Sequence, residues 1–137
     1  MEVPTARLER WWRGLVSRVL RLRYRSYISA TGPLYLHPRV VIRQIRPEGA
    51  RGESLTIVAA GHNSIGLGTI IQSCGTLHLG ERSFVGDCCG LGCNHRITIG
   101  NDVMIAQAVS IRDSDHATER LDIPMNRQGI VTSPVTI

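Results

Sequence analysis

Residues 110–124, SIRDSDHATERLDIP, set one histidine, His116, against two aspartates, Asp113 and Asp115, where a run of regularly spaced aliphatic residues stops. An imidazole in that company has three uses. It can take a proton from a hydroxyl, because histidine ionises near neutral pH. It can ligate a metal, or it can sit idle in a solvated turn. As a base it would need a carboxylate to hold the ring in one tautomer and stabilise the imidazolium that forms. On a bent corner only one aspartate is expected to face it, with Asp113 slightly preferred over Asp115.

A second cluster, DCCGLGCNH, brings Cys88, Cys89, Cys93 and His95 close in sequence. It lacks the Cys-x-x-Cys spacing of a zinc knuckle, and packing accounts for Cys89, so no metal site is expected. His37, His62 and His78 have no partner at useful spacing and are assigned to loops or strand surfaces. The four cysteines are expected as reduced, buried thiols.

The elements that must position His116 are read from a repeat. LGERSF, VGDCCG and LGCNHR, then, after the two residues Ile97 and Thr98, IGNDVM, IAQAVS and IRDSDH, align with an aliphatic residue first and often glycine or alanine second. Leu79, Val85, Leu91, Ile99, Ile105 and Ile111 form the stack. This period predicts a parallel β-helix with three flat faces and about eighteen residues per coil. The fifth positions, Ser83, Cys89, Val103 and Val109, are small because each faces a corner. Before Leu79 the pattern loosens into one or two irregular coils. An antiparallel sandwich also uses short strands and many turns, but it does not predict a six-residue period.

In RLERWWRGLVSRVLRLRYRSY, Leu8, Trp12, Leu15, Val19 and Leu22 recur at helical spacing, with arginines between them. The spacing predicts an amphipathic basic helix over residues 1–27, docked on the body or on a partner subunit. Peripheral contact of residues 7–25 with an anionic membrane is the alternative. Residues 28–54 are expected to connect the helix to the β-helix, with one short strand around Val40–Ile42 between Pro38 and Pro47.

Seven of the sixteen arginines lie in the first 27 residues against two glutamates, while the rest of the chain holds equal numbers of arginines and acids. The basic character therefore belongs to the leading segment, and a nucleic-acid-binding body is disfavoured. No apolar run approaches the roughly 20 residues of a membrane span, and the N-terminus lacks a signal-peptide pattern. A cytoplasmic location is expected, with the inner membrane face as a peripheral possibility.

At ITIGNDVMIAQAVSIRDSDHATERLDIPMNRQGIVTSPVTI, and over roughly residues 55–137, the chain resembles the hexapeptide-repeat acyltransferases, nearest the galactoside, maltose and other sugar O-acetyltransferases. Three features in order carry the resemblance: the paired hexapeptides IGNDVMIAQAVSI, a histidine opening an excursion at the next corner, and re-entry at SPVTI. It implies a left-handed parallel β-helix with a loop excursion at about 116–133. It also implies a homotrimer in which acyl-CoA and acceptor meet between subunits.

The reaction implied is acyl transfer, with acetyl-CoA as the expected co-substrate and no permanently bound cofactor, onto a sugar or polysaccharide-precursor hydroxyl. His116 would be the general base, assisted by Asp113 or Asp115, and no coenzyme-binding residue is assigned. Relatives continue past PVTI with further coils lining the acyl-CoA channel, so the C-terminal coils are expected to be missing. A truncated, non-catalytic β-helical assembly module and a membrane-surface protein governed by its leading helix are the alternatives.

Overall fold

Buried and outward residues alternate along runs of two to four residues, and each run forms a short strand. The structure is a computed structural model that describes residues 4–137, with side chains from Arg7 onward. The first circuit of the chain contains β1 (Ile28–Ala30), β2 (Leu34–Leu36) and β3 (Val41–Gln44). The second contains β4 (Thr56–Ala59), β5 (Asn63–Ile65) and β6 (Ile70–Ser73). The third contains β7 (Thr76–Leu79), β8 (Phe84–Val85) and β9 (Gly90–Cys93), and the fourth β10 (Arg96–Ile99), β11 (Met104–Ile105) and β12 (Ser110–Arg112). An antiparallel pair, β13 (Ser114–His116) and β14 (Ile130–Thr132), interrupts the circuit before β15 (Val135–Thr136).

Successive strands enter three sheets in rotation. Their orders are β1-β4-β7-β10-β15, β2-β5-β8-β11 and β3-β6-β9-β12, and every pairing within them is parallel. The molecule is thus mainly β, with parallel sheets and a single N-terminal helix, an arrangement compatible with a parallel β-helix. The return at SPVTI places β15 beside β10, with Val135 opposite Ile97.

The register corrects the expected repeat length. Ile57, Leu77 and Ile97 stack in one column, Ile65, Val85 and Ile105 in a second, and Ile71, Leu91 and Ile111 in a third. The second and third circuits are each twenty residues (57, 77, 97), where about eighteen were expected. The cause is the first sheet, whose strands point two residues inward per circuit: Ile57 with Ala59, Leu77 with Leu79, Ile97 with Ile99. The pair Ile97-Thr98, which interrupts the hexapeptide alignment, therefore recurs in every circuit as Ile57-Val58 and Leu77-His78. From β4 to Leu79 the chain keeps the same twenty-residue spacing as the circuit that follows.

Residues 28–54 do more than connect. They supply the first strand of all three sheets, with Ile28 opposite Ile57, Leu36 opposite Ile65 and Ile42 opposite Ile71. Residues 45–55 lie between β3 and β4, where only residues 74 and 75 separate β6 from β7. That excess hides the first circuit from a search for a fixed period.

Two corner columns share one backbone solution. His62, Arg82 and Asp102 occupy the left-handed region with φ of 53°, 58° and 57°, as do Gly68, Cys88 and Ala108 with φ of 67°, 55° and 58°. The following residue is small and partly or fully buried, as expected of the fifth position. Where it carries a hydroxyl, it ties the turn to the next circuit. Ser83 Oγ donates to the Gly100 carbonyl and accepts from Val103 N–H, while Thr69 Oγ1 donates to the Gly86 carbonyl and accepts from Cys89 N–H. These bonds satisfy turn groups that the ladders leave unpaired.

Helix α1 (Pro4–Arg23) docks by a face other than its expected stripe. Val16, Ser17, Leu20 and Tyr24 pack against the first circuit, and Ser17 Oγ accepts the edge-strand N–H of Leu36 at 2.9 Å. The helix thus covers the open end of the hydrophobic column, as a terminal cap of a repeat protein must. Leu8, Trp12, Leu15, Val19 and Leu22 point away from the body and are each at least 40% exposed. Ser17 and Leu20 take the docking face because a small hydroxyl meets the edge-strand N–H of Leu36 and a branched aliphatic beside it enters the core.

Candidate functional site

The corner that joins the β3-β6-β9-β12 sheet to the β1-β4-β7-β10-β15 sheet is crossed four times, at 45–55, 74–75, 94–95 and 113–134. The two longest crossings are excursions, one from the first circuit and one from the fourth. They reach across the short crossings and meet. Ile130 N–H donates to the Glu48 carbonyl at 2.8 Å, and Gly52 N–H donates to the Asn94 carbonyl at 2.8 Å. At the junction Gly49 (φ 88°) and Gly129 (φ 75°) both adopt left-handed backbone, and a Cβ on Gly49 would lie 2.2 Å from the Ile130 carbonyl oxygen. Only glycine fits such an approach.

The second excursion has an ordered stem. Residues 114–116 pair antiparallel with 130–132, Ser133 N–H donates to the Asp113 carbonyl at 2.8 Å, and a 3-10 turn at Met125–Arg127 shapes the far end. The Gln128 side chain braces that end by accepting from Arg120 N–H and donating to the Arg120 and Ile123 carbonyls. The excursion thus leaves the coil on a short two-stranded stem, and residues 117–129 connect its strands.

His116 sits on the stem, exposed, with Ile130 opposite it. Its ring has no hydrogen-bond partner among the described residues. Asp115 is also exposed, and its Oδ1 accepts the backbone N–H of His116 at 2.8 Å rather than a ring proton.

Asp113 departs from the expected role of orienting His116. It is 2% exposed, and its two oxygens accept the N–H groups of Asn94 and His95, each at 2.7 Å. It braces the corner of the preceding circuit. The reason lies in strand alternation: Ile111 points inward and Arg112 outward, so Asp113 is carried inward with the core column. That signal was present in the sequence.

Around Asp113 lies a polar knot that sequence reasoning missed. Asn94 Nδ2 donates to Ser114 Oγ at 2.8 Å, while Asn94 Oδ1, His95 Nδ1 and Thr132 Oγ1 are buried without protein partners. Cys93 lies near enough to Asp113 to feel its charge. Burial, and secondarily the Asp113 charge, push its thiol up to about 12, so it stays protonated at neutral pH and is no nucleophile there. Cys74 is likewise pushed up by burial.

The remaining cysteines diverge. Cys88 is exposed at a left-handed corner, whereas the Cys89 thiol turns inward and donates to the Ala106 carbonyl at 3.1 Å. Among the described residues no three His, Cys, Asp or Glu side chains converge on a common point. His37 and His62 lie in turns and His78 on the outer side of β7.

Two grooves border these features. One of about 420 Å³ follows the ribbon stem past Arg112, Ser114, Asp115, Val131 and Ser133, and His116 is not among its lining residues. A larger one of about 1170 Å³ lies on the β2-β5-β8-β11 sheet beside Arg13 of α1, lined by Tyr35, Phe84 and Met104 among others. It contains none of Asp113, Asp115 and His116. Comparison with known protein families, curated proteins and solved structures returned no match.

Proposed function

We propose that this protein is an acyl-CoA-dependent O-acyltransferase, with acetyl-CoA as donor and a sugar or polysaccharide-precursor hydroxyl as acceptor, built on a left-handed parallel β-helix. One observation carries the reading. His116 stands exposed on the stem of an excursion that leaves the three-sheet coil at one corner and rejoins it at β15, in keeping with the resemblance over roughly residues 55–137. His116 is exposed on one chain, and in the homotrimer that the resemblance implies a neighbouring subunit would complete a site around it.

In that reading the neutral His116 imidazole removes the acceptor hydroxyl's proton as its oxygen attacks the thioester carbonyl. A tetrahedral oxyanion forms and collapses, breaking the carbon–sulfur bond. The coenzyme thiolate leaves and takes the proton from the imidazolium. Asp113 enters only as a positioning residue, through the corner it braces beneath the ribbon.

A second reading, a non-catalytic β-helical assembly module, is favoured by the His116 ring's lack of a carboxylate partner among the described residues. Release of coenzyme thiol from acetyl-CoA, measured with a panel of sugar acceptors for the native chain and His116→Ala, separates the two. Acceptor-dependent release that falls by about 10²–10⁴-fold in the variant supports the transferase. Equal background rates in both proteins would sink it.

A further inference from the structure

The outward face of α1 has no partner among the described residues. Leu8, Trp11, Trp12, Leu15, Val19 and Leu22 are 59, 60, 54, 40, 56 and 68% exposed. At 3.6 residues per turn they fill one continuous stripe about 100° wide, opposite the Ser17, Leu20 and Tyr24 face that docks on the first circuit. Isolated exposed apolar residues need no explanation, but a contiguous aromatic and aliphatic stripe marks an interaction surface. The same helical periodicity places Arg7 and Arg18 along one border of the stripe and Arg23 along the other, all exposed.

We infer that α1 is a membrane-surface anchor, which lays its Trp11/Trp12 stripe into the headgroup region of an anionic bilayer while its opposite face holds the β-coil against that surface. The charge pattern selects this occupant. Helix α1 carries Arg7, Arg10, Arg13, Arg18, Arg21 and Arg23 against the one carboxylate Glu9. A second copy of the same helix would bring like charges together along the stripe's borders, whereas a sheet of lipid phosphates complements them.

Tryptophan is the side chain best suited to the boundary between acyl chains and headgroups, and the two rings here meet edge to face with centroids 5.6 Å apart. Helix α1 is not a spanning segment, and no helix among the described residues is long and apolar enough to cross a membrane. An interfacial helix with an apolar front bordered by arginines has the required form.

Docking in this way is independent of acyl transfer, and a failed transferase assay leaves it intact. It does, however, place any chemistry of the coil beside a lipid surface.

Because Trp11 and Trp12 are the two tryptophans of the chain, their emission reports on the stripe directly. The full chain is mixed with vesicles of phosphatidylcholine alone, or of phosphatidylcholine with phosphatidylglycerol, and emission and flotation are followed together. The expected result is a blue shift and co-flotation with the anionic vesicles and little of either with the neutral ones. Raising salt from about 0.1 M to 1 M, which shortens the screening length from about 10 Å to 3 Å, weakens both.

Exchanging Arg7, Arg18 and Arg23 for glutamine keeps the docked Val16, Ser17 and Leu20 in place and removes one contact at that face, the Arg23 guanidinium over the Tyr24 ring. It lowers the vesicle partition coefficient about fivefold per charge, roughly a hundredfold in all. Leu8→Ser with Leu15→Ser also abolishes flotation while the circular dichroism of the coil is retained. Emission unchanged by anionic vesicles, or equal partition of the triple variant, overturns the inference. So does a blue shift that grows with protein concentration in the absence of lipid, which would make a second copy the occupant.

Discussion

Asp113 shows how a residue of suitable chemistry can be claimed by the backbone. Its carboxylate lies two positions beyond Ile111 on an inward-facing register and accepts the N–H groups of Asn94 and His95. Asp113→Ala strands both donors in a corner where Asn94 is 5% exposed. A charge-assisted bond contributes more than a neutral one, and an unmet buried donor costs about 1–3 kcal/mol. The expected loss is about 2–4 kcal/mol of unfolding free energy, read from the shift of the urea midpoint. A stable Asp113→Ala protein would show that water reaches the corner and that the carboxylate is dispensable there. If His116 acts as proposed, the same variant lowers turnover without changing the pH at which activity appears.

At the scale of elements, the paired excursions are the feature that sets one corner apart from the other two. Each is anchored through a left-handed glycine, and neither strand pairing nor the hydrophobic columns hold them together. Gly49→Ala puts a methyl into the Ile130 carbonyl and forces an L side chain into φ 88°. Strain of this kind costs about 1–3 kcal/mol. The junction should open while the coil persists. Limited proteolysis then cuts the variant within 117–129 faster than the native protein, with little change in the far-ultraviolet dichroism. An unchanged cutting rate would mean that the stem of β13 and β14 suffices without its neighbour.

Over the whole molecule, stability is distributed along the coil axis, because each circuit touches only the circuits before and after it. Leu91 in β9 is fully buried between Ile71 and Ile111, whereas Ile111 in β12 has a strand neighbour on one side and is 8% exposed. Truncating buried aliphatic residues to alanine costs about 2–5 kcal/mol, more where the surroundings cannot collapse into the cavity. Leu91→Ala should therefore fall near the top of that range and Ile111→Ala near the bottom in equilibrium urea unfolding. Equal losses would indicate that another copy of the chain covers the fourth circuit.

From the sequence alone came the class of structure and the place where it is interrupted. Aliphatic residues at fixed spacing must share an interior, and small residues must follow each bend, so the stack from Leu79 to Ile111 and the break at RDSDH were legible without coordinates. The leading helix was legible for the same reason, through its 3.6-residue spacing. Periodicity records which residues share a side of an element, but not what that side meets. The tertiary structure alone decided that the stripe of α1 looks outward while Ser17 and Leu20 cap the coil, since both faces offer apolar residues and only the edge strand at Leu36 chooses between them.

The twenty-residue circuit, the first circuit concealed by residues 45–55, and the meeting of Glu48 with Ile130 were likewise decided by pairing between distant segments. Such pairing depends on which carbonyl lies above which N–H. In a chain whose strands are two to four residues long, that register is fixed by the whole stack and by no single strand.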